Sequence, residues 1–156
     1  MRRSTKKKVI PLALALALAL IGAALAVPMI SVSVQQIGAG GPTPVLNPIS
    51  SAAFKWNLNS TDPDKLVSLD VTIGLNNTVS SNLTSGTIYI KFYNGTNFVG
   101  KYTYTLSSTN YIDTNNNVIS ISASYLQSIL GASSTTLEAI LPKFDRIAVV
   151  YQGSSS

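Results

Sequence analysis

Residues 88–106, IYIKFYNGTNFVGKYTYTL, alternate between apolar and polar side chains on both sides of an Asn-Gly pair. The apolar positions of the first half are Ile88, Ile90 and Phe92. Successive side chains of a strand point to opposite faces, so this alternation predicts a half-buried β-strand. Asn94 and Gly95 both accept positive φ and therefore predict the turn of a β-hairpin. The alternation resumes at residues 98–106, which predicts the second strand of that hairpin.

The same alternation recurs along much of the chain. It predicts further strands at residues 30–36, 54–58, 67–75, 118–122 and 146–151. Residues 124–130 instead carry apolar side chains at helical spacing, with Ser124 placed to cap the start and Gly131 to end the helix. About seven or eight short strands separated by turns predict an all-β fold, a single antiparallel β-sandwich of jelly-roll or Ig-like kind with one short helix. The sandwich is expected at residues 45–152, followed by a disordered tail at 153–156.

A leader-like segment opens the chain. Five basic residues lie in the first eight positions, and residues 9–26 carry no charge. With the small residues Ala24 and Ala26 before a candidate cut, the pattern predicts a secretory signal peptide at residues 1–26, cleaved after Ala26. Cleavage after Ala24 stays open, as do a retained anchor and a type IV pilin leader. The apolar run is at the lower edge for spanning a bilayer, and it lacks the small residue that usually precedes the apolar run in pilins.

Composition excludes several classes of function. The 156 residues include no cysteine and no histidine, which excludes disulfides, thiolate nucleophiles, Cys/His zinc sites and imidazole-dependent triads. The net charge of +5 comes from 11 basic and 6 acidic residues. Since five of the basic residues belong to the leader, the rest of the chain is neutral, and nucleic-acid binding has no electrostatic support. Membrane contact is expected only through the leader before cleavage.

The carboxylates do not indicate a catalytic pair, and the chain is predicted to be no enzyme and to need no cofactor. Asp62 with Asp64, or Asp113 with Asn115 and Asn117, supply oxygens of the kind that calcium accepts. The second group lacks the glycine and the closing glutamate of a calcium loop, so a polar hairpin tip is the preferred interpretation. A secreted enzyme would need two carboxylates in one pocket, and no spacing singles out such a pair.

Two surface features accompany the strands. Four Asn-x-Ser/Thr sequons predict N-glycan acceptors on the exposed loops of a secreted chain: Asn59, Asn76, Asn82 and Asn94. Five tyrosines suit either a sugar-binding face or cross-strand aromatic packing: Tyr89, Tyr93, Tyr102, Tyr104 and Tyr111.

The strand predicted at residues 30–36 follows the expected cut closely and precedes a Gly/Pro-rich linker at residues 38–44. Its apolar side chains share one face: Ile30, Val32 and Val34. Such a strand either closes its own sheet or leaves its domain and fills a groove in the next subunit. In the second case the contact is head-to-tail and generates a filament. Residues 27–37 would then not pack in their own domain.

On these features the chain resembles the archaeal extracellular filament subunits with jelly-roll β-sandwiches, of the bundling-pilus and thread type, which are similar to bacterial TasA biofilm fibres. The features are the leader, the immediate apolar strand, the Gly/Pro linker, the single Ser/Thr/Asn-rich sandwich and the sequons. The resemblance covers the whole chain as architecture, without a diagnostic motif.

This resemblance implies a secreted glycoprotein that forms a pilus or biofilm fibre at the cell surface. It implies a homopolymer assembled by donor-strand exchange, with residues 27–44 as donor strand and linker and with Ile30, Val32 and Val34 as the inserted residues. Neighbouring filaments or cells are the further partners considered. The alternative is a secreted or surface-anchored module that binds carbohydrate or cells as a monomer.

Overall fold

The structure, a computed structural model, describes residues 30–36, 47–77, 80 and 82–153. Several predicted segments lie outside the described residues: the leader at 1–26 with Ala24 and Ala26, the linker at 38–44 and the tail beyond residue 153. The described part is mostly β-structure with two short helices, which confirms the all-β prediction.

Nine strands follow one another in the described part of the chain. They are β1 (Ser31–Gln36), β2 (Ile49–Leu58), β3 (Leu66–Leu75), β4 (Asn82–Leu83), β5 (Thr87–Asn94), β6 (Asn97–Thr105), β7 (Ile112–Asp113), β8 (Val118–Ser122) and β9 (Arg146–Gln152). The helices are α1 (Ala123–Leu130) and α2 (Leu137–Ile140), and a 3₁₀ turn at Leu141–Lys143 follows α2.

The strands form two main sheets. The four-stranded sheet has the order β1-β9-β5-β6 and the three-stranded sheet the order β2-β3-β8, while β4 and β7 form a separate short ladder. These ladders are antiparallel except that β1 runs parallel to β9, so the prediction of a purely antiparallel fold is wrong at this pair. Because β1 and β9 lie at opposite ends of the described chain, no hairpin turn fixes their relative direction.

The hairpin of β5 and β6 forms as predicted, with its turn one residue later. Asn94 pairs with Asn97, so Gly95 and Thr96 are the two turn residues. Gly95 has a φ of +59°, and no described residue other than glycine has a positive φ. Positive φ at the first central position alone is the pattern of a type II′ turn, which favours glycine there. The expectation of positive φ at Asn94 is wrong, because Asn94 still belongs to the ladder.

Both sheets contribute to one hydrophobic cluster. Its fully buried side chains include Ile88, Ile90 and Phe92 of β5 and Leu69, Val71 and Ile73 of β3. Phe144, just before β9, links the sheets through its ring. The ring centroid of Phe144 lies 5.0 Å from that of Phe92 and 6.2 Å from that of Trp56 in β2.

Helix α1 packs against β3, β6 and β8. The Oγ of Ser122 accepts a hydrogen bond from the backbone N–H of Tyr125 at 3.4 Å, and Gly131, with a φ of +61°, ends the helix. The predicted stop at Gly131 is confirmed, whereas the predicted cap at Ser124 is wrong. Ser124 lies inside the first turn, because the helix begins one residue earlier than the apolar spacing indicates.

Candidate functional site: the β1 edge and the outer sheet faces

Strand β1 is the edge strand of the four-stranded sheet and pairs with β9 alone. Val32 lies beside Ile147 and Val34 beside Val149. Register partners share a face of the sheet, so both valines lie on the core side. Ile30 and Val34 are half-buried and pack against the core cluster. In the single chain, β1 therefore pairs with β9 of its own domain. The expectation that this strand leaves its own domain is not met there, because the edge of β9 is within reach of the tethered strand.

The edge of β9 that pairs with β1 can hold one extended strand, and we call this edge the slot. Four successive residues of β9 are at most 1% exposed, namely Ile147, Ala148, Val149 and Val150. Without β1, the N–H and C=O groups along this edge would be unpaired, and such an edge pairs readily with another strand. The slot suits a strand with apolar side chains at alternate positions, since backbone bonds supply affinity and the alternate side chains supply specificity.

The fit of β1 in this slot is imperfect. Ser33 lies beside Ala148, and its buried Oγ has no hydrogen-bond partner among the described residues. A buried hydroxyl without a partner costs about 1–3 kcal/mol, and parallel pairing is slightly less stable per residue than antiparallel pairing. We therefore expect β1 to be held less firmly than β5 and β9, each of which pairs on both sides.

Strand β2, the edge of the three-stranded sheet, lies near β1. Phe54 and Trp56 of β2 are half-buried against the core cluster, with ring centroids 6.1 Å apart in an edge-to-face arrangement. Strand β2 thus contributes two aromatic side chains to the packing around the core.

The four sequons lie in loops or at strand ends. Asn82 and Asn94 are exposed, and Asn59 and Asn76 are half-buried. The Oδ1 atom of Asn59 accepts from the N–H and Oγ1 of Thr61 at 2.9 and 2.7 Å, which forms an Asx turn without the Nδ2 atom that carries a glycan. Glycosylation of the four asparagines stays a prediction.

The five tyrosines do not form one platform. Tyr102 and Tyr104 point toward the core, and burial is the main cause that raises the pKa of Tyr102. Tyr89 and Tyr93 lie on the outer face of the four-stranded sheet, because they alternate with the buried residues of β5. Tyr111 precedes β7 and is half-buried. The interpretation as a single five-tyrosine sugar-binding face is wrong, since neighbouring strands turn their tyrosines to opposite sides.

Three cations lie on that outer face, which we call the cationic face: Lys91, Lys101 and Arg146, with Tyr89 and Tyr93. The Nζ atoms of Lys101 and Lys91 lie 5.1 and 6.0 Å from the ring centroid of Tyr89. The Cζ atom of Arg146 lies 4.2 Å from the ring centroid of Tyr93. Sequence reasoning missed this group, although both lysines occupy outward positions of the predicted hairpin.

The outer face of the three-stranded sheet carries a polar network around Asp70. The Nδ2 of Asn57 donates to Oδ2 of Asp70 at 2.6 Å, and the Oγ of Ser68 donates to Oδ1 at 3.2 Å. A hydrogen bond from the Ser120 side chain, followed by those from Asn57 and Ser68 and the charge of Lys55, holds the pKa of Asp70 below its ordinary value, although burial acts in the opposite direction.

Two of the candidate calcium ligands, Asp62 and Asp113, have structural partners. Asp62 forms an ion pair with Lys65 at 3.1 Å. The Oδ1 of Asp113 accepts from the backbone N–H groups of Asn115 and Asn116 at 2.7 and 2.6 Å, which stabilises the turn before β8. In the described part of the chain, no three acidic side chains come together in a group suited to a metal ion.

No helix within the described ranges is long and apolar enough to cross a membrane. No protein-family model matches the sequence, and comparisons with curated proteins and with solved structures give no match. The function is therefore inferred from β1, the slot beside β9 and the two outer faces.

Proposed function

We propose that this chain is the structural subunit of an extracellular filament that polymerises by exchange of β1. In the isolated chain β1 fills the slot beside its own β9. In the filament the same slot takes β1 of the neighbouring subunit, in the same parallel register. Each subunit then gives one strand and receives one, so the contact is head-to-tail and does not close on itself.

The observation that carries the proposal is the single-sided, parallel attachment of β1 to its sheet. The same contacts form whether β1 comes from its own chain or from another, so the exchange loses little free energy. Residues 37–46 connect β1 to the rest of the fold and would span up to about 33–36 Å if extended. That reach is long enough for β1 to enter an adjacent subunit.

The proposal also includes the finer architecture and the route to the surface. The two sheets are the layers of a jelly-roll or Ig-like sandwich, and the leader directs secretion before cleavage after Ala26. Because β1 begins at Ser31, cleavage leaves the strand near a free N-terminus, from which it can be inserted into a slot. Before cleavage the leader would hold β1 at the membrane, which keeps assembly outside the cell.

A disulfide test distinguishes exchange from closure, because the chain contains no cysteine. Ser33 and Ala148 are register partners on the outer face of β1 and β9, and adjacent strands are close enough for a disulfide. We expect the double variant Ser33→Cys/Ala148→Cys, produced from the full chain with its leader and oxidised after assembly, to give a ladder of covalent multimers in denaturing electrophoresis.

The two single variants serve as matched controls. Ser33→Cys mixed with Ala148→Cys during assembly should give a covalent dimer, because each disulfide then joins two chains. Each single variant oxidised alone should give no product linked between positions 33 and 148. A double variant that yields only internally bridged monomers would contradict the proposal.

The second candidate function is a secreted or surface-anchored module that binds carbohydrate or cells as a monomer. The position of β1 in its own sheet favours this candidate. The disulfide experiment separates the two functions, since internally bridged monomers are the expected result for a monomeric module.

A further inference from the structure

Lys91 of β5 and Lys101 of β6 are direct register partners on the outer face of the four-stranded sheet. Like charges placed directly opposite each other in a sheet are destabilising. Both ammonium groups also approach one ring, that of Tyr89. The ring face attracts each cation but carries no net charge, so it does not supply a counter-ion for the two lysines.

The protein's own carboxylates do not neutralise this face. In the part of the chain that the structure describes, Asp62 and Lys65 form the only ion pair. Asp145 is adjacent to Arg146 in sequence, but both of its carboxylate oxygens accept from the N–H of Gly95 at 3.0 Å. Within the described residues no carboxylate forms an ion pair with Lys91, Lys101 or Arg146, so these three cations are available to an external anion.

The surroundings of the cations indicate the class of anion. The three cations lie on β6, β5 and β9, which places them about 10 Å apart across the sheet from end to end. Hydroxyl groups border them on the same face, since Thr103 is the register partner of Tyr89 and Thr105 that of Thr87. Several spaced charges bordered by hydroxyls suit a linear polymer that carries both acidic groups and hydroxyls.

We propose that the cationic face binds an acidic polysaccharide, with Lys91, Lys101 and Arg146 holding its carboxylates and the neighbouring hydroxyls hydrogen-bonding its sugars. Nucleic acid fits less well, because the rings of Tyr89 and Tyr93 are already covered by cations and are not free to stack on bases. A second copy of this chain fits less well too, because most of its carboxylates are engaged within the chain.

The inference does not depend on whether β1 inserts into a neighbour, since the cationic face lies on β5, β6 and β9. The test compares two triple variants of the full chain, each of which loses three positive charges. The face variant is Lys91→Gln/Lys101→Gln/Arg146→Gln, and the control variant is Lys55→Gln/Lys65→Gln/Lys143→Gln. Affinity electrophoresis in gels with sodium polygalacturonate measures binding, with neutral dextran as the blank and duplex DNA as the competing polyanion.

We expect polygalacturonate to retard the wild-type protein and the control variant, and we expect the face variant to lose at least about tenfold in affinity. Added salt should weaken the binding, because the contact is electrostatic. Equal loss in both variants would show an effect of net charge alone and would overturn the inference. So would a failure of polygalacturonate to retard the wild type at low salt, or tighter binding to duplex DNA.

The face variant relieves the repulsion between the two lysines and is expected to fold. Its thermal midpoint, followed by circular dichroism, should lie close to that of the wild type, because the lost cation–π contacts and the relieved repulsion act in opposite directions. If it does not, Lys101→Gln alone, at an exposed position, replaces the triple variant and should still weaken binding. Combined with Ser33→Cys/Ala148→Cys, the face variant should still form the covalent ladder, so a failure of filament assembly and a failure of sugar binding are distinguishable.

Discussion

Asp70 shows how one side chain on the outer face of β3 links the charge state to stability. Its carboxylate accepts hydrogen bonds from side chains of all three strands of the sheet: Asn57 of β2, Ser68 of β3 and Ser120 of β8. These bonds favour the ionised form, so the pKa of Asp70 is lower in the folded protein than in the unfolded chain. The ionised carboxylate therefore stabilises the fold.

We expect Asp70→Asn to lower the free energy of unfolding at pH 7 by about 1 kcal/mol, a modest loss because the site is partly open to solvent. The contribution of Asp70 is present above its unfolded-state pKa and is lost as the pH falls through its lowered folded-state pKa. The deficit of the variant should thus shrink in acid, as measured by urea unfolding at pH 7 and at successively lower pH.

The control for the loss of one negative charge is Asp64→Asn, in the exposed β2–β3 loop. This variant should unfold at nearly the wild-type urea concentration at every pH. A deficit for Asp70→Asn that does not change with pH would show that its hydrogen bonds do not depend on the charge.

At the scale of the element, α1 depends on the residues at its two ends. It has eight residues, which is too short for a helix to be stable alone in water. Its stability comes from packing, with Leu126 and Leu130 buried in the core cluster, and from its caps. Ser122 accepts from the N–H of Tyr125, while Ser124 is inside the first turn.

Substitution of the two serines should separate the cap from its neighbour. We expect Ser122→Ala to lower the free energy of unfolding by about 1 kcal/mol, because the first turn loses its side-chain acceptor. Ser124→Ala should have almost no effect, since alanine is favourable inside a helix. Urea unfolding curves of the two variants measure this difference. A larger loss of stability for Ser124→Ala than for Ser122→Ala would identify Ser124 as the cap.

At the scale of the whole molecule, the ring of Phe144 connects the two sheets. It is 2% exposed and lies between Phe92 of the four-stranded sheet and Trp56 of the three-stranded sheet. Since both sheets bury their side chains in one cluster, we expect them to fold as one cooperative unit.

Phe144→Ala should lower the free energy of unfolding by about 3–5 kcal/mol, the range for deletion of a buried phenyl ring. Phe144→Leu is the matched control and should cost much less, because it keeps most of the apolar volume. The chain has a single tryptophan, so the fluorescence of Trp56 reports on β2 while far-UV circular dichroism reports on all strands. Coincident midpoints are expected, and separate midpoints would show that the sheets unfold independently.

Local sequence determined most of the longer strands and the alternation of their side chains, whereas β4, β7 and the first half of β2 were not predicted. The period of two is a local property of the backbone, so the sequence itself places Lys101 on one face of its strand and Tyr102 and Tyr104 on the other. The glycine at position 95 likewise determined where the hairpin turns, to within one residue. The neutrality of the chain beyond residue 8 is also a property of the sequence alone.

Only the tertiary structure decided which strands are neighbours. The pairing of β1 with β9 joins segments at opposite ends of the described chain. No local sequence pattern predicts that β9 is the partner of β1 or that the two strands run parallel. The cationic face has the same origin, since Arg146 reaches Tyr93 only because β9 pairs with β5. Such contacts depend on how the sheets bury their apolar faces together, which is a property of the whole core and of no single segment.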